Sequence, residues 1–218
     1  MKPSPLATAH QEWDRRWRSP ADQDEWLRPE DEVIELAARL RLGGAGTALD
    51  LGCGLGRHTL ALARLGFAVQ AVDGAAAGLD HLRRIVGDLA VQPHIADFRH
   101  LPLAASSVDL VVCWNVIYHG TRDDLALAVA EIARVLRPGG TFLATLLSKR
   151  NAACGRGAEV APDTWVNVDD PEKAHAHCYT DAADVTSLLM TDFDLRRLVD
   201  VEHRTPGSWH WHFVAERR

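Results

Sequence analysis

The fold is decided by the stretch Ala48-Leu49-Asp50-Leu51-Gly52-Cys53-Gly54-Leu55-Gly56. Its first half is apolar enough for a short buried strand, and the apolar spacing that follows predicts a helix over Arg57–Leu65. Glycines at such a turn let the backbone bend sharply and let a ligand approach the chain. The free N–H groups at the helix start add hydrogen-bond donors. The stretch therefore predicts a ligand site between a strand and a helix.

Strands and helices alternate on both sides of this turn. Strands are predicted at 47–51, 68–73, 94–97, 108–114 and 141–147, and helices at 9–18, 29–42, 57–65, 76–88, 122–136 and 181–190. Continuous apolar strands that alternate with helices indicate a mostly parallel sheet covered on both faces, which is a doubly wound α/β fold. Two last strands, 194–203 and 208–216, flank Pro206-Gly207 and predict an antiparallel edge hairpin.

The length of 218 residues fits one domain. Within it we expect an N-terminal lid over residues 1–30, a ligand-binding core over 45–147, a substrate-side loop over 148–180, and a helix with the final hairpin over 181–218. The third of these is longer than connections usually are, and its residues are Gly, Pro, Asn and Asp throughout, which is typical of functional loops.

Composition excludes several classes of protein. Hydrophobic residues make up 47% of the chain and the net charge is −6, which favours a globular protein and argues against a nucleic-acid partner. No apolar run is long enough to span a membrane, and the first twenty residues do not look like a signal peptide. The four cysteines show no C-x-x-C spacing, so we expect reduced thiols in a cytoplasmic protein. We also expect no membrane partner. The oligomeric state stays open.

Asp73 ends the second predicted strand, where a carboxylate can accept hydrogen bonds from the ribose of an adenosine. A dinucleotide site would have Gly-x-Gly-x-x-Gly, whereas here Gly56 comes one position early and Arg57 follows it. S-adenosylmethionine (SAM) has no phosphate, and Asp50 suits the amino group of its methionine end. The spacing therefore favours SAM over a dinucleotide.

The same residues resemble the first motif of the class I SAM-dependent methyltransferases. Ala96-Asp97-Phe98, Ser107–Val112 and Glu131–Gly140 are similar to later parts of that family. The resemblance implies a seven-stranded Rossmann-like methyltransferase fold. It assigns the cofactor to Asp50, Gly52, Cys53, Gly54, Gly56, Arg57, Asp73, Gly74, Asp97, Phe98, Trp114 and Asn115. At finer grain, Gly56–Leu60 and Val116–His119 look like a small-molecule branch akin to tellurite-resistance-type methyltransferases.

Methyl transfer mainly requires that the acceptor be positioned and, where needed, deprotonated. His119 is the best candidate base because it follows a strand end and histidine titrates near neutral pH, although a structural histidine is an equal alternative. The other catalytic candidates are Tyr118 and His177. Acceptor contacts are expected from Trp17, Trp26, Arg150 and Tyr179.

Four residues raise the question of a metal: Cys154, His175, His177 and Cys178. Their spacing matches no standard zinc pattern, and the ligands bunch too closely for a tetrahedron. We therefore expect no metal.

The function expected from the sequence is transfer of a methyl group from SAM to a nucleophilic S, O, N or chalcogen atom of a small molecule. The residues after the fourth strand are Trp114-Asn115-Val116-Ile117-Tyr118, which are not the motifs of nucleic-acid methyltransferases. Two alternatives remain: a nicotinamide-dependent oxidoreductase, and a SAM-binding regulatory or scaffold protein without turnover.

Overall fold

The computed structural model describes residues 5–19 and 26–218. Parts of the expected N-terminal lid, residues 1–4 and 20–25, lie outside the described residues. The helices are α1 Pro5–Trp17, α2 Asp31–Leu42, α3 Arg57–Arg64, α4 Ala76–Ile85, α5 Arg122–Val135 and α6 Ala182–Leu189. The strands are β1 Thr47–Leu51, β2 Ala68–Asp73, β3 Val91–Ile95, β4 Val108–Cys113, β5 Leu136–Ser148, β6 Ala158–Ala161, β7 Thr164–Val166, β8 His177–Thr180, β9 Phe193–Glu202 and β10 Trp209–Arg217.

Ten strands form one sheet, in which β8, β7 and β6 extend from the end of β5 and the other seven lie in the order β3-β2-β1-β4-β5-β10-β9. The first five are parallel, and β10 runs antiparallel to both β5 and β9. The expected doubly wound, mostly parallel sheet with an antiparallel edge hairpin is confirmed. Because parallel strands end at the same edge, the residues that follow β1, β2, β3 and β4 are neighbours in space.

Strand β4 shows why the sheet is covered on both faces. Leu110 and Val112 pack with Val33 of α2 and Leu62 of α3. The alternate residues Val111 and Cys113 belong to the cluster that contains α5 and α6. Both sets are fully buried, as the continuous apolar run predicts. Among the described residues, no helix is both long and apolar enough to span a membrane.

The segment 148–180, expected to be an irregular loop, contains three short strands. Strands β6 and β7 pair as an antiparallel hairpin around Asp163, which has a positive φ of 54°. Strand β8 pairs antiparallel with β7. It also pairs in parallel with the end of β5, where Tyr179 lies opposite Leu147. Strand pairing gives the backbone hydrogen bonds that a long loop would leave to water.

Some element boundaries also differ from expectation. Pro29 precedes the cap residue Glu30 of α2, so it is not the first helical residue. Strand β3 runs over Val91–Ile95, earlier than the predicted 94–97, and contains Pro93. Proline is tolerated there because β3 is an edge strand. Helix α6 is capped by Asp181, whose carboxylate accepts from the backbone N–H of Asp184 at 2.9 Å.

Candidate active site

A cavity opens at the carboxyl ends of the parallel strands, where doubly wound sheets bind their ligands. Its walls are the glycine loop after β1 and the segments that follow β2, β3 and β4. Helix α1 and Trp26 close it from the other side, and the enclosed space with its open mouth is about 820 Å³. We call it the first cavity. The predicted cofactor residues that line it are Gly52, Cys53, Gly54, Arg57, Asp73, Gly74, Phe98, Trp114 and Asn115.

The glycine loop fits a close ligand because it has no side chains where the chain turns. Gly52, Gly54 and Gly56 have φ values of 72°, 51° and 89°, in the left-handed region that favours glycine. A Cβ on Gly52 would lie 2.2 Å from the Val116 side chain, and one on Gly56 would lie 2.6 Å from Leu82. Gly56 therefore serves the close approach of α3 and α4 and does not line the cavity.

Asp73 lies at the end of β2 with its carboxylate at the cavity wall. One oxygen accepts from the backbone N–H of Gly54 at 2.8 Å and the other from that of Ala75 at 2.7 Å. Burial raises its pKa, while these hydrogen bonds oppose the rise. Each oxygen keeps a further lone pair, so the carboxylate can also accept from a pair of ribose hydroxyls. Asp73 thus both holds the loop and faces the cavity.

Asp50, predicted to bind the amino group of SAM, does not line either cavity. Its side chain is 2% exposed and accepts from the Thr59 hydroxyl at 2.6 Å. Burial raises the pKa of Asp50 to about 6. In this structure the carboxylate ties β1 to the first turn of α3.

The segment after β3 offers Ala96 and Phe98 to the first cavity, but not the carboxylate of Asp97. That carboxylate is held by the Arg99 guanidinium at 2.7 Å and by the Arg99 backbone N–H at 2.9 Å. Burial raises its pKa, but the hydrogen bonds from Arg99 outweigh burial and lower it. The adenine contact predicted for Asp97 remains a prediction.

Asn115 leaves β4 with a positive φ of 62°, which is uncommon for a residue with a side chain. Its backbone N–H donates to the Thr145 hydroxyl at 2.8 Å, and that hydroxyl donates to the Asn115 side-chain oxygen at 2.9 Å. Such conformations persist where the surroundings fix them, and they cluster at functional sites. The turn presents Trp114, Asn115 and His119 to the cavity.

A second cavity adjoins the first and shares part of its wall. The residues common to both are Trp13, Trp26, Arg57, Trp114, Asn115 and His119. The rest of its lining is polar and charged, and includes Tyr118, Glu172, Lys173, His203, His210 and His212. His210 and His212 are buried because β10 lies inside the sheet, where His212 Nδ1 donates to the Glu32 carboxylate at 2.7 Å.

His119, His175 and His177, which we call the histidine cluster, meet between the end of β4 and the start of β8. The three side chains are 7%, 3% and 0% exposed. His119 Nε2 lies 3.2 Å from the Asn115 carbonyl, and His119 Nδ1 lies 2.9 Å from His175 Nε2. Burial lowers the pKa of His119 and of His177 well below the ordinary value. The cluster is therefore neutral at pH 7, and both nitrogens of His119 are occupied.

Two predicted acceptor contacts lie away from both cavities. The Arg150 guanidinium stacks on Trp209, 3.5 Å from its ring centroid, and pairs with Asp200 at 3.3 Å. Tyr179 is 1% exposed, with its ring 5.9 Å from that of Trp165. Trp17 lines the first cavity and Trp26 lines both the first cavity and the one beside it, so their predicted contact with an acceptor remains a prediction.

Helix α1 contributes cavity residues that sequence reasoning missed. Ala9, His10 and Trp13 line the first cavity together with Trp17. Trp13 and Trp17 stack with ring centroids 5.1 Å apart, and both make edge contacts with Trp26. Ala9, Trp13 and Trp17 recur every four residues, so one helix face carries all three. That spacing is the signal that could have found them.

Comparison with known proteins finds similar methyltransferases. Residues 48–140 match the family model described as "Methyltransferase domain". The dimethylglycine N-methyltransferase of Parasynechococcus marenigrum is 36% identical over 118 residues, which is 52% of this chain and 41% of that protein. The chain spans about half the length, or less, of the first curated relatives it matches.

Solved structures show the same fold at low identity. The 1,6-didemethyltoxoflavin-N1-methyltransferase of Burkholderia thailandensis, solved with S-adenosylhomocysteine, is 18% identical with a TM-score of 0.69, and the alignment covers 97% of this chain and 88% of that one. The N-methyltransferase NodS of Bradyrhizobium japonicum, also solved with S-adenosylhomocysteine, is 17% identical with a TM-score of 0.70, covering 95% and 97%. Residues 48–140 thus match a methyltransferase domain, and the chain has the α/β fold of these two methyltransferases solved with S-adenosylhomocysteine.

Proposed function

We propose that this protein transfers a methyl group from SAM, bound in the first cavity, to a nucleophilic atom of a small molecule bound in the second. The observation that supports this most is the wall that the two cavities share. Six residues line both cavities: Trp13, Trp26, Arg57, Trp114, Asn115 and His119. Two ligands in adjoining cavities meet at such a wall, and close positioning is the main requirement of a displacement reaction.

The residues of the first cavity fit SAM. Gly52 and Gly54 present backbone without a side chain at the cavity wall, and Asp73 offers acceptors for the ribose. Phe98 gives an apolar surface for adenine. When bound, SAM supplies a methyl group on a positively charged sulfur, activated for in-line attack. The aromatic residues Trp13, Trp17 and Trp26 would exclude water from it.

A small acceptor is favoured because the second cavity is closed on one side by Trp13 and Arg16 of α1 and by Trp26. The names of the relatives point the same way, since one is called a dimethylglycine and another a didemethyltoxoflavin methyltransferase. The acceptor atom is S, O, N or a chalcogen such as tellurium, and the labelling experiment below identifies it.

A base role for His119 enters the proposal in a restricted form. To accept a proton from an acceptor molecule, His119 Nδ1 must first leave His175 Nε2, or Nε2 must leave the Asn115 carbonyl. We therefore propose that positioning contributes more than proton removal, which favours acceptors that are nucleophilic at neutral pH, such as thiolates. His119→Ala should then lower turnover only mildly.

The decisive experiment supplies SAM labelled in the methyl group together with a metabolite extract, thiols, amines, selenite and tellurite, and follows the label by mass spectrometry. We expect label in a small molecule with the wild-type protein and much less with Asp73→Ala at subsaturating SAM. If SAM binds and label never leaves it, the protein is a SAM-binding regulator or scaffold. Calorimetry that finds tight NAD binding and no SAM binding would instead support the oxidoreductase alternative.

A further inference from the structure

The histidine cluster has more nitrogen atoms than its hydrogen bonds use. His177 Nδ1 lies 2.8 Å from the His175 carbonyl, so Nδ1 carries the proton and Nε2 carries a lone pair. His177 Nε2 is buried and has no hydrogen-bond partner among the described residues, and the same holds for His175 Nδ1. Buried polar atoms are usually satisfied, so these two atoms call for a ligand.

Ring nitrogens of the three histidines lie close together. One ring nitrogen from each of His119, His175 and His177 lies within 4.8 Å of the other two. Three nitrogens bound to one ion at 2.0–2.1 Å in tetrahedral geometry lie about 3.3–3.4 Å apart. The observed contact of 2.9 Å between His119 Nδ1 and His175 Nε2 is shorter than this, so binding requires this pair to open slightly and to release the proton of its hydrogen bond to solvent.

Hydrogen bonds orient two of the three rings as metal ligands require. His119 can donate from Nε2 to the Asn115 carbonyl, and His177 donates from Nδ1 to the His175 carbonyl. A ligating histidine usually donates its other N–H to a carbonyl or carboxylate, which fixes the tautomer. The third ring, His175, is held in place by its contact with His119.

We propose that the histidine cluster binds one divalent transition-metal ion of the zinc type. Imidazole ligands suit zinc, cobalt, nickel and copper, and three histidines leave a fourth position open. The segment spacing that argued against zinc did not include His119, which lies 56 residues before His175 and is brought to it by the fold. The proposal is independent of the methyl-transfer proposal, although an ion here would occupy the nitrogen that His119 needs as a base.

The charges around the cluster include one that opposes a cation. Lys173 is close enough to lower the pKa of all three histidines, and Arg16 also acts on His175, while Glu12 acts in the favourable direction. Replacing Lys173 by a neutral residue should therefore tighten metal binding, which gives a test with the opposite sign to loss of a ligand.

The experiment titrates chelator-treated protein with Co²⁺, followed by its visible absorption, and then with Zn²⁺ in competition. We expect uptake of one ion per chain, with the visible absorption of Co²⁺ bound to nitrogen ligands. Metal affinity should be at least ~10-fold weaker in His177→Gln and in His175→Gln. Metal affinity should be tighter in Lys173→Met. His203→Gln is the control, because His203 is not part of the histidine cluster. Its Nε2 lies 2.7 Å from Nε2 of His212, in the wall of the second cavity.

The wild-type titration needs no variant and so does not depend on how His177→Gln folds. No saturable uptake by the wild-type protein would overturn the proposal. So would an affinity that falls in His203→Gln and not in His177→Gln or His175→Gln. Binding of S-adenosylhomocysteine to the same samples shows whether the methyltransferase site is intact, so the two proposals can fail separately.

Discussion

The glycine loop and the histidine cluster are both small sites at the end of the sheet, but they are encoded in different ways. The loop is one continuous stretch, Asp50 to Arg57, which supplies Gly52, Cys53, Gly54 and Arg57 to the first cavity from nearly consecutive positions. The cluster joins a residue after β4 to two residues that lead into β8. A contiguous site can be deduced from spacing, whereas a site assembled from distant segments has to be observed.

The largest expected effect is on the loop. Gly52→Ala would place a Cβ 2.2 Å from Val116 on a backbone with φ of 72°. Left-handed strain of about 1–2 kcal/mol and overpacking of about 1–3 kcal/mol should lower the free energy of unfolding by about 2–5 kcal/mol. If about 3 kcal/mol of this strain and overpacking must be overcome for the loop to bind SAM, SAM affinity should fall roughly 100-fold.

Gly139→Ala is the matched control, because Gly139 has a φ of 77° and no other described atom within 4 Å of its Cβ position. Urea unfolding should show only the conformational cost there, about 1–2 kcal/mol. Val116→Ala should partly restore SAM affinity to Gly52→Ala. Equal losses in the two glycine variants would show that contact with Val116 is unimportant.

Asp73 provides the next largest effect. Asp73→Ala removes the carboxylate that accepts from Gly54 and Ala75 and that we expect to accept from the ribose. SAM affinity, measured by calorimetry, should fall at least ~10-fold, since hydrogen bonds to a charged group contribute about 1.5–3 kcal/mol each. Asp80→Ala removes a carboxylate that pairs with Arg83 on the surface of α4 and should leave affinity unchanged. Unchanged affinity in Asp73→Ala would mean that the ribose lies elsewhere.

The comparison also explains what the sequence could and could not predict. The sheet followed from apolar runs such as Val108–Cys113, because a strand buried on both faces is apolar throughout. Gly52, Gly54 and Asp73 followed from their positions at strand ends. Strand β8 was missed because its pairing partners, β5 and β7, lie in other parts of the chain.

Side-chain partners were the least predictable feature. Asp50 was expected to face the cofactor and instead binds Thr59, nine residues later, because the first turn of α3 brings that hydroxyl over β1. Asp97 was expected to face adenine, but Arg99 two residues on holds its carboxylate. Spacing locates a residue at a strand end, whereas the direction of its carboxylate depends on which donors the fold brings near.

Asp50 gives a third prediction, of intermediate size. Its pKa is raised by burial from 3.8 to about 6, so the folded protein binds a proton at higher pH than the unfolded chain does. Stability therefore falls as pH rises from about 4 to about 6, by up to about 3 kcal/mol at 1.36 kcal/mol per pKa unit. Asp50→Asn removes this penalty and should be more stable than wild type at pH 7 in urea unfolding, with no difference near pH 4.

The same variant tests the predicted contact with the amino group of SAM. If Asp50 acts only through Thr59, Asp50→Asn should bind SAM with nearly wild-type affinity, because an amide oxygen can still accept from the hydroxyl. A large loss of SAM affinity would show that the carboxylate turns toward the methionine end when the cofactor binds. A variant less stable than wild type at pH 7 would contradict the burial argument.

The smallest effect is expected at Arg150, which the sequence offered as an acceptor contact. Its guanidinium stacks on Trp209 and pairs with Asp200, and it is 59% exposed. Arg150→Ala should change the free energy of unfolding by less than about 1 kcal/mol, since exposed ion pairs and exposed cation–π contacts contribute little. KM for the acceptor should stay within about twofold of wild type, whereas Arg57→Ala, in the wall that both cavities share, should raise it more. If KM for the acceptor rises in Arg150→Ala and not in Arg57→Ala, the acceptor binds at the segment after β5 and not in the second cavity. The acceptor site would then extend beyond the histidine cluster.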